Sequence, residues 1–341
     1  MIRVAVDAMG GDLAPEAQVK GAMRAIKVNP DIEITLFGRT EEIKKYLTDS
    51  TRIEIVDARD VIPMGEHDPV HAIRTMTDSS MVKAMRSVVN NENDCIVTSG
   101  PTQAFVVGAH LIIRRMDGFR RPALAPVIPS LTTGRTVILD CGANLEVRPD
   151  QLVQQAQFAT IYAREILNKK DPKVGLMNIG VEEGKGREFE NECYKALKDS
   201  KLNFIGNVET KDILEPPCDI LISDGFTTNM VVKTMEGTAK SMGKMLKSNL
   251  KHGFFGKIGA LLSLKNLHRF QTEINPDEVA GGMIFGVKYP AVKAHGSCND
   301  YAFSFGIKLA ADVVRNDVIK KVEEALKEET PLEVNKDETS S

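Results

Sequence analysis

Short β-branched runs alternate with helix-like runs along almost the whole chain, and this predicts an α/β fold. The expected architecture is a doubly wound, mostly parallel sheet flanked by helices. Two further observations support it. Several predicted strands end in small polar residues and glycine, which is where open α/β sheets bind ligands. The composition, 42% hydrophobic and 27% charged over 341 residues, suits a globular protein with a large core.

The first strand, residues 2–6, is a β-branched run fit for a buried parallel position. It empties through Asp7, Gly10 and Gly11 into a helix reaching about Lys27, with Asp12 and Pro15 at its opening. Further strands are expected at 32–37, 52–56, 94–98, 123–127, 136–139, 173–179, 202–205, 219–223, 283–287 and 291–293. Helices are expected at 41–46, 79–89, 102–115, 149–167, 187–198, 227–250 and 300–326. The reading is one catalytic domain over residues 1–327, with a possible boundary near 145. The polar, acidic stretch 328–341 reads as a frayed tail.

A formal charge of −3 gives no global attraction to nucleic acid. The five cysteines are scattered, without a Cys-x-x-Cys pair, and strand-like sequence begins at Ile2 with no leader-like segment before it. A cytosolic protein with free thiols is expected. No apolar run approaches the ~20 residues that cross a bilayer. Gly-x-Ser-x-Gly, His-Glu-x-x-His and Gly-x-Gly-x-x-Gly patterns are missing, so serine hydrolase, zinc protease and dinucleotide chemistry lack support.

The chemistry-bearing residues gather at strand ends. Asp7 with Gly10, Gly11 and Asp12 forms the first such turn, and free N–H groups at a helix start make an anion pocket there. Ser99, Gly100 and Thr102 follow the next candidate strand, where hydroxyls and helix N–H groups suit a phosphate oxygen. Ser79 and Ser80 open another helix. Asn144 closes the turn after Asp140, and Asn178 and Gly180 mark a further strand end. Plain helix capping accounts for any one of these turns; five in one chain point to a shared polar site. Glu183 and Lys185 lie in a Glu-Gly-Lys-Gly turn that lacks nucleotide P-loop spacing. Asp224 and Asn229 flank another helix start. Lys293, His295 and Ser297 pair a cation with the best-placed histidine of the chain.

Residues 240–269 carry seven basic and no acidic side chains among Lys and Arg. Within them Phe254, Phe255, Ile258, Leu261 and Leu262 fall on one helical face. Gly253, Gly256 and Gly259 weaken that helix, so a protruding hairpin over about 240–270 is expected. An apolar face ringed by lysines suits an anionic membrane surface, each lysine adding ~1 kcal/mol near such lipid. A dimer interface or an acidic protein partner fits the same pattern.

These segments, in this order, resemble the bacterial phosphate acyltransferase family of phospholipid synthesis. The likeness is carried by Asp7-Ala8-Met9-Gly10-Gly11-Asp12, Asp78-Ser79-Ser80-Met81, Leu139 to Asn144, Asn178-Ile179-Gly180 with Glu183 and Lys185, Asn203 to Glu209, Asp224-Gly225-Phe226 with Asn229, and Lys293 to Ser297. It runs from residue 2 to about 325. The resemblance implies a fold like phosphotransacetylases and isopropylmalate dehydrogenases, a homodimer, and peripheral attachment to the membrane. It implies attack of inorganic phosphate on an acyl thioester of acyl carrier protein, with no cofactor and no metal. Lys185 and Lys293 are then the candidates for charge stabilisation, and His295 for a hydrogen bond to the leaving sulfur.

The chain departs from the family pattern in three places beside the expected site. Pro101 and Gln103 stand where the family usually has asparagine and glycine, Met76 and Thr77 replace lysines, and Thr228 replaces a glycine. Two other readings stay open: a relative using acyl-coenzyme A, and a membrane-bound protein that binds acyl carrier protein without turnover.

Overall fold

The computed structural model describes residues 1–250, 253, 259, 261–266 and 281–328. Its centre is a sheet of eleven strands: β1 (Ile2–Asp7), β2 (Ile32–Gly38), β3 (Ile53–Asp57), β4 (Cys95–Thr98), β5 (Ala123–Ser130), β6 (Gly134–Leu139), β7 (Val174–Asn178), β8 (Phe204–Glu209), β9 (Ile220–Ile222), β10 (Gly282–Phe285) and β11 (Ala291–Lys293). Their order is β3-β2-β1-β4-β11-β10-β5-β6-β9-β7-β8. The first five strands of that order are parallel, as are the last four. Antiparallel pairings of β10 and β5 join the two parallel halves. β5 belongs to both: residues 123–126 pair with β10 and residues 127–130 with β6.

The helices are α1 (Glu16–Val28), α2 (Thr40–Ile43), α3 (Pro69–Thr75), α4 (Ser80–Val89), α5 (Thr102–Gly108), α6 (Pro149–Leu167), α7 (Glu188–Lys198), α8 (Gly225–Leu250), α9 (Asp300–Arg315) and α10 (Val318–Glu328). Three expectations change. The helix expected at 300–326 is two, because Asp317 takes a left-handed φ of 51° between α9 and α10. The helix expected at 102–115 gives way to a π-helical turn over Ala109–Ile113. The helix expected at 41–46 covers only Thr40–Ile43. Residues 251, 252, 254–258, 260 and 267–270 of the expected hairpin, Phe254, Phe255 and Ile258 among them, lie outside the described residues, as does 329–341 of the expected tail.

Side-chain alternation divides the sheet into two faces. Val4 and Val6 of β1, Leu139 of β6 and Ile222 of β9 enter one continuous core under α1, α6, α7 and α9. The opposite face is split. Ala5, Ile96 and Ala291 pack under α4 and α5, whereas Ile138, Leu221 and Met177 pack with Val232 of α8. Cys141, partly buried, touches both clusters at the split. Inside the continuous core Phe158 stacks on Phe285 at 4.3 Å and meets Phe119 edge-on at 6.0 Å. This cluster ties α6 to β10 across the junction of the halves. Phe285→Ala is expected to cost about 3–5 kcal/mol, read as a lower midpoint in chemical denaturation.

Candidate active site

The first wall of the site is built where β1, β4 and β11 end. Alternation puts Asp7, Thr98 and Lys293 on the split face, two residues beyond Ala5, Ile96 and Ala291 respectively. Asp7 is buried, and its Oδ2 accepts the Thr98 hydroxyl at 2.6 Å. Burial pushes the Asp7 pKa up, opposed by hydrogen bonds from Ser80, Thr98 and the Met9 and Gly10 backbone. The following turn needs glycine: a Cβ on Gly10 would stand 2.5 Å from Asp7 Oδ2 and 2.7 Å from the Gly100 nitrogen. Gly11 adopts a φ of +104°, which side chains with a Cβ rarely take.

Gln18, fully buried on α1, clamps this turn to the next. Its Nε2 lies 2.7 Å from the Gly10 carbonyl and 2.8 Å from Ser99 Oγ, and Ser99 itself donates to Gly10 O at 2.8 Å. Gly100 N–H donates to Thr98 Oγ1 at 2.9 Å, and Thr102 starts α5. Pro101 is the capping residue before α5, so the turn lacks one backbone donor there. Gln103 is exposed on α5. Ser79 caps α4 by accepting from Val82 N–H. Met76 ends α3 against the core, and Thr77 is exposed. The β11 end is stitched on by Ala294 N–H to Thr98 O and Asp12 N–H to Gly296 O, both 2.8 Å.

Lys293 is buried among these turns. Burial lowers its pKa to about 8, helped by the charge of Lys233 and opposed by Cys298, Asp7 and Asp12. His295 and Ser297 are exposed beside it. Ser297 N–H donates to His295 Nδ1 at 3.3 Å, and Ser297 Oγ lies 3.0 Å from the same nitrogen.

The second wall rises from the end of β6. Asp140, two residues beyond Ile138, lies on the same split face and is fully buried. It accepts Leu124 N–H at 2.9 Å, Ala143 N–H at 3.1 Å, Asn144 N–H at 2.7 Å and Asn144 Nδ2 at 2.8 Å. Burial outweighs these bonds and raises its pKa to about 6. Asn144 O in turn accepts Gly225 N–H at 2.9 Å, and a Cβ on Gly225 would come 2.1 Å from that oxygen. Gly142, at a φ of +89°, leaves room for Asn229: its Nδ2 is 3.1 Å from where a Cβ would stand. Thr228 is buried and donates its hydroxyl to Leu139 O at 3.4 Å. Burial pushes the Cys141 thiol up to about 12. It is therefore a thiol rather than a thiolate at neutral pH.

Asp224 caps α8 through Thr227 N–H at 2.6 Å and accepts Arg187 at 3.1 Å, while Arg187 also forks onto the buried Glu190. That network is structural in its geometry. Asn178 holds the next turn, accepting Ile179 N–H at 2.8 Å and donating to Lys185 O at 3.0 Å. Gly180 leaves space for the Lys185 stem. Lys185 is half-exposed, 4.0 Å from Glu182, and Glu183 pairs with Lys198 on the surface at 3.1 Å. Five strand steps separate β11 from β7, roughly 24 Å along the sheet. The structure thus gathers Asp7, Gly10, Gly11, Asp12, Ser80, Ser99, Gly100, Lys293 and His295 around one wall, and sets Asn178, Gly180, Glu183 and Lys185 apart on an outer turn.

Gln18 and Asp140 belong to the site's frame, yet sequence reasoning did not select them. Gln18 sits mid-helix, where only tertiary partners reveal a role; Asp140 carried a signal, being a carboxylate at a predicted strand end. Among the described residues no group of three or more His, Cys, Asp or Glu side chains could hold a metal ion.

The strand order and the helices on both faces give the chain the α/β fold seen in phosphotransacetylases. A phosphotransacetylase from Streptococcus pyogenes superimposes with a TM-score of 0.60 at 15% identity, covering 94% of each chain. A branched-chain phosphotransacylase from Enterococcus faecalis gives 0.55 at 14%, covering 92% of this chain and 100% of the other. The model of a family described as fatty acid synthesis protein matches residues 2–321. A phosphate acyltransferase from Bacillus pumilus is 42% identical over 332 residues, 97% of this chain and 100% of its own length. One from Acholeplasma laidlawii is 43% identical over 330 residues, 96% of this chain and 99% of its own. The chain belongs to the bacterial phosphate acyltransferase family and is an acyltransferase.

Because the Gly10 position touches Asp7 and the Gly100 backbone together, Gly10→Ala displaces both turns. Turnover is expected to fall roughly 10²-fold while far-UV circular dichroism stays that of the parent protein.

Proposed function

We propose that the chain transfers a fatty acyl group from the thioester of acyl carrier protein to inorganic phosphate, forming an acyl phosphate for phospholipid synthesis. The buried cation Lys293, set among glycine turns and hydroxyls on the split face, is the observation that carries this reading. An ammonium held there attracts the phosphate dianion and stabilises negative charge developing on the thioester oxygen. One phosphate oxygen attacks the carbonyl carbon, the carbon–sulfur bond breaks, and its electron pair leaves on sulfur. The proton of the hydrogen phosphate ends on that sulfur, with His295 Nε2 as the hydrogen-bond donor on the way out. Holding both reactants in one cleft supplies much of the acceleration without a covalent enzyme intermediate. In this reading Lys185, on its outer turn, stands apart from the reacting atoms.

Membrane attachment and a homodimer complete the proposal. Lys240, Lys244, Lys247, Met242 and Met245 are exposed on α8, and Leu261 (67%) and Leu262 (81%) are exposed beyond its end. A basic, apolar surface of this kind favours an anionic bilayer. Among the described residues no helix is long and apolar enough to cross one. Phe226 and Met230, one helical turn apart and exposed at the start of α8, offer a face for a second copy.

The decisive assay incubates the protein with acyl carrier protein thioester and measures free carrier thiol as phosphate is varied. Phosphate-dependent release is expected, and none at saturating phosphate overturns the reading; an acyl-coenzyme A arm fixes the donor. Lys293 is charged below pH 8 and neutral above it, so kcat/KM for phosphate is expected to fall as pH rises through about 8. Lys293→Arg, charged throughout, is expected to abolish that fall in the pH–rate profile. Leu261→Asp with Leu262→Asp is expected to reduce co-sedimentation with anionic vesicles; unchanged binding removes the membrane proposal.

A further inference from the structure

We infer that Lys233 is a second cation of the phosphate site, facing Lys293 from α8 so that one dianion is held between ammonium groups from the two halves of the sheet. The inference rests on the acyl-transfer reading above and adds a residue to it. Its basis is placement. α8 is pinned to the split face by Val232, buried among Ile138 and Leu221, and by the Thr228 hydroxyl on Leu139 O at 3.4 Å. Asn229, the next residue, stands over Gly142. Lys233 follows four residues later, on the same flank of the helix, above the turn that begins at Cys141. Lys233 is exposed, and its Nζ donates to Glu236 at 2.9 Å.

Lys293 lies on the same face of the sheet, beyond Ala291. Only β10 and β5 intervene between β11 and β6, a separation of about 14 Å that two long side chains converging from both sides reduce. The electrostatics agree: Lys233 opposes protonation of Lys293 and also acts on Cys141 at the split. Four titratable groups act on Lys293: Cys298 from the segment before α9, Asp7 from β1 and Asp12 from the turn after it favour its protonation, and Lys233 from α8 opposes it. Two ammonium groups aimed at one cleft repel each other when it is empty, and a phosphate dianion between them turns that repulsion into attraction. Glu236 balances Lys233 when no anion is there.

The test is steady-state kinetics with inorganic phosphate varied, paired with calorimetric titration of phosphate. Lys233→Met is expected to raise the phosphate KM roughly tenfold with kcat and the thioester KM little changed. The alkaline fall in kcat/KM is expected to move to higher pH, because Lys293 loses a repelling neighbour. Lys233→Arg is expected to restore the phosphate KM, and Lys233→Gln repeats the neutral substitution should methionine perturb folding. An unchanged phosphate KM and unchanged pH profile in an otherwise active variant overturn the inference. If the parent protein itself shows no phosphate-dependent release, the acyl-transfer reading fails; calorimetry then decides Lys233 alone, weaker phosphate binding in the variant upholding its role and equal binding refuting it.

Discussion

Asp140 lies where β6 hands the chain to the turn that forms the second wall, and four donors converge on its carboxylate. A buried carboxylate is tolerated only when such bonds replace its lost water. Here they come from β5, from the turn and from Asn144, whose carbonyl then receives the first N–H of α8. The position of α8 therefore depends on a charge being satisfied inside the sheet. Everything α8 presents to the cleft, Asn229 first, inherits its placement from that one group.

The opposite wall solves the same problem with Asp7, satisfied by Thr98, Ser80 and the turn it begins. Both carboxylates sit at strand ends on the face where the core divides. Hydrophobic packing stops there, so polar groups can approach one another without the cost of burying them beneath helices. Lys293 occupies this boundary, close enough to protein to lose water and close enough to Asp7 and Asp12 to remain cationic near neutrality.

Much of this was legible in the sequence, for local reasons. α6 was expected at 149–167 and is found at Pro149–Leu167, because Pro149 suits the first helical turn and the apolar period is unbroken. The glycine turns were legible because a backbone that must approach another so closely admits no side chain. β5 was expected at 123–127 but continues to Ser130, because each half of the strand completes its ladder on only one side and so tolerates Pro126 and Pro129. α3 was missed although Asp68 and Pro69 form a cap and first turn. The break at Asp317 had no glycine or proline to announce it. Within the site, the separation of Lys185 from Lys293 depends on sheet order, which no local pattern encodes. The same holds for Gln18, whose two partners come from different turns.

Strand order also sets a timetable for synthesis. β4 pairs with β1 on one side and with β11 on the other, and β5 waits for β10. A chain emerging from its N-terminus therefore leaves both strands with an unpaired edge until residues 282–293 have been made. Such edges invite pairing with other chains. The candidate site closes in the same moment, because Lys293 arrives on the last strand to join. In a nascent chain, protection from misassociation and arrival of the buried Lys293 are one event.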